Sequence, residues 1–108
     1  MMHLTAVVAL FAGRAEAPTE PELVAWVERG WIRPEPAESG MVFDDLDVAR
    51  ARLIHDLRTT MRIEDETIPV ILSLLDQVYD LRAGLRAVLR AVEQQPAPVR
   101  EAILTAID

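Results

Sequence analysis

The sequence predicts a mostly α-helical fold: a degenerate winged helix-turn-helix with a small β-hairpin wing, followed by a long C-terminal helix. Three observations predict this class. Residues 19–30 carry the capping signals of a helix that ends at a glycine. A segment rich in proline follows, with short apolar runs on both sides, which is typical of a hairpin. A heptad repeat of apolar residues then runs from residue 68 to residue 92 and indicates a long packing helix.

The length, composition and net charge of the chain restrict the kinds of structure and partner that we expect. A length of 108 residues fits one compact domain with an appended helix. The absence of cysteine excludes a disulfide framework, a thiolate metal site and a cysteine nucleophile. The net charge of -7 disfavours nucleic acid and anionic membranes as partners and favours a basic protein partner. The apolar run at the N-terminus is too short to span a bilayer, so we expect a cytoplasmic protein with no membrane partner.

Residues 4–12 form a short apolar run for which we expect a helix. The large apolar side chains in this run recur with the spacing of one helix face: Leu4, Val7, Val8 and Phe11. A strand is the competing interpretation, because so short a run fits both periods. Residues 13–18 include a glycine and a proline and predict a loop.

The helix after this loop has clear boundaries. Thr19 and Glu22 form a capping-box pattern, in which the Thr19 hydroxyl accepts the backbone N–H of Glu22 and the carboxylate reaches back to the N–H of Thr19. Pro21 lies in the first turn, where its missing N–H costs nothing. Gly30 supplies the left-handed position that ends a helix. The apolar stripe of this helix consists of Leu23, Trp26 and Val27.

A hairpin and a second capped helix follow. Residues 31–33 and 41–43 are short extended runs, so we predict a β-hairpin with its turn across residues 34–40. After a helix-turn-helix, such a hairpin is the wing. Asp44 or Asp45 then caps the next helix, where aspartates suit the positive end of the helix dipole. We expect the buried stripe of that helix to consist of Leu46, Arg50, Leu53 and Leu57, widened by Ala49 and Ile54.

The longest helix is predicted after a linker, with Asp65 or Thr67 as its cap and Pro69 in its first turn. Its heptad positions are Ile68, Ile71, Leu75, Val78, Arg82, Leu85, Leu89 and Val92. A second apolar row lies beside them: Leu74, Leu81 and Val88. This apolar stripe is wider than a two-stranded coiled coil needs. We therefore expect one part of the stripe to pack on the domain and the other part to contact a second subunit in a homodimer. The residues expected at the dimer contact are Ile71, Leu75, Val78, Arg82, Leu85 and Leu89.

A short helical tail ends the sequence. Val99, Ile103 and Ile107 recur with helical spacing after a stop at residues 94–98. We therefore expect three segments: a winged helix-turn-helix domain over residues 1–60, a packing and dimerisation helix over residues 61–95, and the tail over residues 96–108.

The order of these motifs resembles MerR-like proteins, and in particular the CbpM family of modulators of a DnaJ-type co-chaperone. The matching pieces are Gly30-Trp31-Ile32-Arg33-Pro34, Val42-Phe43-Asp44-Asp45, Arg50, Arg52-Leu53, Leu57-Arg58, and residues 68–81 with Leu74-Leu75-Asp76 inside them. The resemblance covers roughly residues 23–89. Each motif alone is weakly specific, because many MerR-like chains share the Gly-x-x-x-Pro turn, and the joint order is more specific. The loop at residues 13–18 is longer than the usual turn, and the tail has no counterpart.

This resemblance implies a function. CbpM-like proteins are small cytoplasmic bacterial proteins that bind the J-domain of the CbpA co-chaperone and block its work with its heat-shock chaperone. J-domains carry a basic helix, so an acidic docking surface is physically sensible. The residues expected to contribute are Glu28, Trp31, Asp44, Asp45, Asp47, Asp76 and Asp80. The three aspartates near residue 45 are also expected to act as helix caps, and Trp31 is expected in the core with partial exposure.

Two alternatives stay open. The first is a MerR-like transcriptional regulator that binds DNA as a dimer. Its recognition helix would begin at Glu20, yet this helix offers three glutamates and only Arg29, and carboxylates repel phosphate. The second is an interaction module for some other partner. Because of this repulsion between carboxylates and phosphate, we do not expect the surface of this helix to bind nucleic acid.

The sequence shows no pattern typical of an enzyme, a metal site or a cofactor site. His3 and His55 are isolated and lack the spacing of metal ligands. His55 is expected to form at most a hydrogen bond on a helix surface. No Ser/His/Asp set and no glycine-rich phosphate loop is present in the sequence. We therefore predict a protein that acts by binding, without catalysis and without a cofactor.

Overall fold

The computed structural model describes all 108 residues and is mostly helical, with a three-stranded antiparallel sheet. Its elements are β1 (Met2–His3), α1 (Leu4–Ala9), α2 (Glu20–Glu28), β2 (Glu35–Ala37), β3 (Gly40–Phe43), α3 (Asp45–Thr59), α4 (Ile68–Glu93) and α5 (Ala97–Ile107). The mostly helical class is confirmed. No helix has the length and apolarity needed to cross a membrane.

The chain divides into two compact units, Met1–Leu72 and Ser73–Asp108. The division falls inside α4, whereas the sequence predicted a boundary after residue 60. The difference has a physical reason. Ile68 and Leu72 are buried with the hydrophobic core of the first unit, so the first turns of α4 belong to that unit. The second unit consists of the rest of α4 together with α5.

The N-terminal run forms helix α1, as predicted, and Val7 and Phe11 are buried. The preceding residues form a strand that the sequence did not predict. Met2 pairs with Phe43 and His3 pairs with Val42, which makes β1 one edge of the sheet and β3 its centre. A strand of two residues is too short to show an alternating pattern.

Helix α2 begins and ends where the capping signals placed it. The Thr19 hydroxyl oxygen accepts the backbone N–H of Glu22 at 3.3 Å, and the hydroxyl donates to the Glu22 carboxylate at 3.3 Å. At the other end, Gly30 has a φ of 77°. Its N–H donates to the carbonyl of Val27, and the N–H of Trp31 donates to the carbonyl of Trp26. This pair of bonds is a Schellman motif, which satisfies carbonyls at the helix end.

The hairpin is present, but the prediction for its first strand was wrong. The strand occupies Glu35–Ala37 and not residues 31–33, and the turn is reduced to Glu38 and Ser39. The backbone of Trp31 is already engaged, because its N–H belongs to the Schellman motif and its carbonyl accepts the Arg50 side chain at 2.8 Å. The segment 31–33 therefore packs as irregular structure.

Helix α3 is capped by Asp44, as predicted, but its predicted buried stripe was only partly correct: Ile54 and Leu57 are buried, whereas Leu46 is not. The side chains on its buried face are Asp47, Ala51, Ile54, His55 and Leu57. Leu46, which was expected in the core, is 56% exposed. The helix is thus rotated by about one residue relative to the predicted face. The rotation follows from the cap, which directs Asp47 inward.

The core of the first unit gathers side chains from α1, α2, α3, the hairpin and the start of α4. Its fully buried large members are Trp26, Phe11, Phe43, Leu23, Ile32, Ile54, Ile68 and Val7. Three of the chain's five aromatic residues are in this list, so the aromatics anchor the core. Both tryptophans belong to this unit.

Helix α4 begins beside Thr67, one of the two predicted caps. The Thr67 carbonyl accepts the N–H groups of Val70 and Ile71, and Pro69 lies in the first turn, where it costs no hydrogen bond. In the second unit, α5 begins after Pro96 and lies within the helical tail that the sequence predicted over residues 96–108. Arg100 joins the two helices by donating to the carbonyls of Glu93 and Gln95 at 3.5 and 3.4 Å.

Candidate protein-docking surfaces

The structure distributes the residues predicted for docking between the two compact units. Glu28, Asp44 and Asp45 are exposed on the first unit. Asp76 and Asp80 belong to the second unit, where Asp76 is half-buried and Asp80 is exposed. The first three side chains can present negative charge to a partner. We call Glu28, Asp44 and Asp45 the acidic surface of the first unit.

Trp31 is not a surface residue, which corrects its place among the predicted contacts. It is only 5% exposed. The guanidinium of Arg29 lies 5.1 Å from the centroid of its ring, a cation–π distance, and further covers the indole. Because its backbone and its ring are both engaged, Trp31 stabilises the junction between α2 and the hairpin and offers little area to a partner.

Asp47 is also removed from the predicted contacts. It is 6% exposed, and its carboxylate accepts the backbone N–H of Asp44 at 3.0 Å. Burial raises the pKa of this carboxyl and outweighs the hydrogen bond from the backbone of Asp44, which lowers it. Asp47 therefore acts as a buried capping residue. A partner could not reach it without unfolding the start of α3.

Asp44 and Asp45 have different structural roles. Asp44 accepts the N–H of Asp47 at 2.8 Å, so one of its oxygens is committed to the cap. Asp45 is the first residue of α3, exposed at the positive end of the helix dipole. Glu28 is the last residue of α2 and is likewise exposed. Glu28 and Asp45 can thus be changed with little structural consequence.

Several arginines of the first unit are neutralised by carboxylates. Asp65 bridges Arg58 at 2.9 Å and Arg29 at 3.4 Å, and Arg58 also meets Glu22 at 3.5 Å. Arg62 pairs with Glu16 at 3.0 Å. We call this set the arginine cluster. The sequence did not reveal it, because partners such as Arg29 and Asp65 are far apart in the chain and carry no shared motif.

The arginine cluster borders an open groove of about 380 Å³. The groove is lined by carboxylates as well as by Arg58 and Arg62, and each of these arginines is already paired. Arg58 also lies over the ring of Trp26, with 5.7 Å between its guanidinium carbon and the ring centroid. The groove therefore offers no concentration of unpaired positive charge for phosphate. Its residues mainly hold the linker before α4 against α2 and α3.

His55 was predicted on a helix surface, and this prediction was wrong. Its side chain is buried, with the ring 5.1 Å from that of Phe11. Nε2 lies 3.1 Å from the carbonyl oxygen of Ala15, which fixes the loop after α1. Nδ1 has no hydrogen-bond partner, and the nearest carboxylate oxygen, on Asp56, is 3.9 Å away. No cluster of three potential metal ligands exists in the chain.

The predicted dimer residues lie on an apolar surface of α4. Leu75, Val78, Leu85 and Leu89 are exposed, and Ile71 is half-buried. Arg82 is exposed among them. The second apolar row is at least as open: Leu74 is 56% and Leu81 is 73% exposed. The structure shows this surface uncovered, so dimerisation through it stays a prediction.

No protein-family model matches this chain, and no curated protein and no solved structure matches it.

Proposed function

We propose that this protein is a chaperone modulator. In this proposal it binds the J-domain of a DnaJ- or CbpA-type co-chaperone and inhibits the action of that co-chaperone with its heat-shock chaperone. Its first unit serves as the docking platform. The order of α1, α2, the hairpin and α3 supports the interpretation of this unit as a degenerate winged helix-turn-helix of the MerR-like type.

The observation that carries the proposal is the charge of the exposed surface. Glu28, Asp44 and Asp45 present carboxylates, while Arg29, Arg58 and Arg62 are held in ion pairs. A net charge of -7 adds long-range attraction for a basic partner. The basic helix of a J-domain has the complementary charge. Complementary charge accelerates association and excludes acidic competitors.

The test is a binding measurement between the full chain and a purified J-domain at low salt. We expect a dissociation constant of tens of micromolar or tighter, which weakens as salt shortens the Debye length below about 8 Å. The double variant Glu28→Arg with Asp45→Arg reverses two charges of the acidic surface. We expect it to weaken binding at least about tenfold, through lost attraction and new repulsion.

A matched control separates local docking from the overall charge. The double variant Glu66→Arg with Glu101→Arg changes the net charge by the same amount at other exposed positions. We expect it to retain most of the affinity. Absence of binding by the wild-type chain at low salt would refute the proposal, and equal weakening by both double variants would refute the acidic surface as the docking site.

The MerR-like transcriptional regulator is the competing function. Arg33 and Arg52 are exposed and could contact phosphate groups. A regulator would retain a specific sequence from a pool of random DNA duplexes, and Arg33→Ala with Arg52→Ala would abolish the retention. The proposed modulator retains none.

A further inference from the structure

Glu16 and Arg62 are the two residues other than glycine whose backbone is left-handed. Their φ angles are 52° and 53°. In this region the β-carbon of an L-residue crowds the following carbonyl oxygen, so the conformation persists only where the surrounding structure holds it. Glu16 lies in the loop after α1, residues 10–18, and Arg62 lies in the linker before α4, residues 60–67. Each of these two segments therefore contains a strained residue.

The side chains of these two residues meet, although 46 positions separate them in the chain. Nη1 of Arg62 donates to both carboxylate oxygens of Glu16, at 3.0 and 3.1 Å. Because 71% of the Arg62 side chain and 54% of the Glu16 side chain are exposed, water and salt screen this ion pair. The pair therefore joins the two strained segments by a contact that opens readily.

Other contacts hold the linker on the C-terminal side of Arg62. The N–H of Ile63 donates to a carbonyl of α3 at 2.8 Å, and the Ile63 side chain packs against the core. Asp65 meets Arg58 of α3 at 2.9 Å and Arg29, the residue that ends α2, at 3.4 Å. These ion pairs are also partly exposed, so salt weakens this attachment as well.

The loop after α1 is anchored next to Glu16. Nε2 of the buried His55 lies 3.1 Å from the carbonyl oxygen of Ala15, which ties the loop to α3. Residues 12–17 are exposed, so little packing holds this part of the loop. The loop is therefore attached to α3 at Ala15 and to the linker at Glu16.

We propose that the loop and the linker form one clamp, which opens as a unit without global unfolding and whose opening is controlled by ionic strength. We call the two segments and the ion pair between them the α4 clamp, because Ile68 begins α4 directly after the linker. Breaking the pair removes the restraint that each strained residue places on the other, so both backbones relax together. Opening loosens the connection through which α3 leads into α4.

Amide hydrogen exchange followed by NMR on the full chain tests the clamp. Two hydrogen-bonded amides report on its halves: Ile63, bonded to the carbonyl of Leu57 at 2.8 Å, and Arg14, bonded to that of Phe11 at 3.0 Å. We expect about 1 M NaCl to accelerate exchange at both amides about threefold relative to low salt, because salt screens the ion pairs. The amide of Trp31, which belongs to the same unit and to no part of the clamp, should exchange at an unchanged rate.

Each half of the clamp is perturbed by a substitution and read at the other half. We expect Glu16→Ala to accelerate exchange at Ile63 about twofold, and Arg62→Ala to accelerate exchange at Arg14 about twofold, because loss of an exposed ion pair changes an equilibrium by roughly this factor. Reading the far segment excludes the direct effect of a substitution on its neighbouring amides. The double variant should exchange no faster than either single variant, because both substitutions remove the same contact.

Matched controls remove the same charges elsewhere on the first unit. Glu38→Ala changes an exposed glutamate of the hairpin turn, and Arg52→Ala changes an exposed arginine of α3. Both controls should leave exchange at Ile63 and Arg14 unchanged. Equal acceleration by the variants and the controls would show a general effect of net charge and would refute the clamp.

Glycine at residue 62 tests the strain. Arg62→Gly and Arg62→Ala both remove the ion pair, but only glycine adopts the left-handed region without strain. We expect the unfolding equilibrium constant of Arg62→Gly, measured in urea, to be about fivefold smaller than that of Arg62→Ala. The opposite order would refute a strained backbone at this position.

Unchanged exchange at the far amide in both single variants would refute opening as a unit. Unchanged exchange in high salt would refute control by ionic strength. These measurements use the chain without a co-chaperone. Their outcome is therefore independent of J-domain binding, and failure of J-domain binding leaves the clamp unaffected.

Discussion

Asp44 and Asp47 cap helix α3 from opposite directions, because the carboxylate of each residue accepts the backbone N–H of the other. The two distances are 2.8 Å for the N–H of Asp47 and 3.0 Å for the N–H of Asp44. Asp44 directly follows β3, so the buried carboxylate of Asp47 joins the start of α3 to the end of β3.

Replacing Asp47 should destabilise the first unit. Asp47→Ala leaves the N–H of Asp44 without its acceptor, and we expect a loss of about 1 kcal/mol. Asp45→Ala is the matched control in the same turn, where the side chain is exposed, and should change stability by less than about 0.5 kcal/mol. Urea unfolding followed by tryptophan fluorescence measures both, since Trp26 and Trp31 are in this unit. Equal effects would show that the capping bonds contribute nothing specific.

The titration of Asp47 should make stability depend on pH in a defined direction. Burial raises the pKa of its carboxyl above the ordinary 3.8, so the folded state binds the proton more tightly than the unfolded state. The resulting stabilisation is complete below the unfolded pKa and is lost as the pH rises through the folded pKa. Unfolding of the wild type and of Asp47→Asn is compared from about pH 3 to about pH 7. The stability of the wild type relative to the variant should fall as the pH rises; an increase would contradict the burial argument.

Gly30 should resist substitution for conformational reasons alone. Its φ is 77°, and nothing lies within 4 Å of the position that a Cβ atom would take, so no steric clash contributes. Gly30→Ala should lower the free energy of unfolding by about 1 kcal/mol, because L-residues with a β-carbon disfavour the left-handed region. Gly30→Asn should cost less, since asparagine tolerates this region. The same urea measurement applies, and an asparagine variant less stable than the alanine variant would count against this account.

Arg58 should contribute more to stability than its neighbour Arg62. Arg58 meets Asp65 and Glu22 and lies over Trp26, with 31% of its side chain exposed, whereas the Arg62 side chain is 71% exposed and pairs only with Glu16. We expect Arg58→Ala to cost about 1 kcal/mol and Arg62→Ala less than about 0.5 kcal/mol. High salt should reduce the loss of stability caused by Arg58→Ala, because salt screens the ion pairs of Arg58. Equal costs in urea unfolding would contradict a special role for Arg58.

The features predicted correctly from the sequence depend on neighbours along the chain. The Thr19 cap, the Gly30 stop and the Asp44 cap are formed by bonds that span three to five residues, so the residue types themselves carry the signal. Helix α4 was also placed correctly at its start, because a proline tolerated only in the first turn restricts where a helix can begin.

The features predicted wrongly depend on contacts between distant segments. The first strand of the hairpin was misplaced because the carbonyl of Trp31 accepts the side chain of Arg50, which is 19 residues away and carries no local pattern. The buried face of α3 follows from the inward direction of Asp47, a residue type that is seldom buried. A hydrophobicity pattern therefore assigned Ile54 and Leu57 to the buried face correctly, but it also assigned the exposed Leu46 to that face.

The candidate surface was predicted in part. The exposed acids Glu28, Asp44 and Asp45 could be identified as charged residues beside helix ends. The neutralisation of the arginines could not, because Arg29 meets Asp65 and Arg62 meets Glu16 only after the chain folds. The uncovered apolar surface of α4 was visible as apolar periodicity, but its extent required knowing which residues the first unit buries.

Pro36 determines how the sheet can grow. Glu35 and Ala37 pair with Val42 and Gly40 on β3, so the amide position of Pro36 lies on the open side of the edge strand β2. Proline has no N–H to donate there. An incoming strand would find no amide donor at the centre of this edge, so the hairpin cannot serve as a template for strand addition or for edge-to-edge aggregation. A partner that binds at this edge must therefore be recognised through side chains.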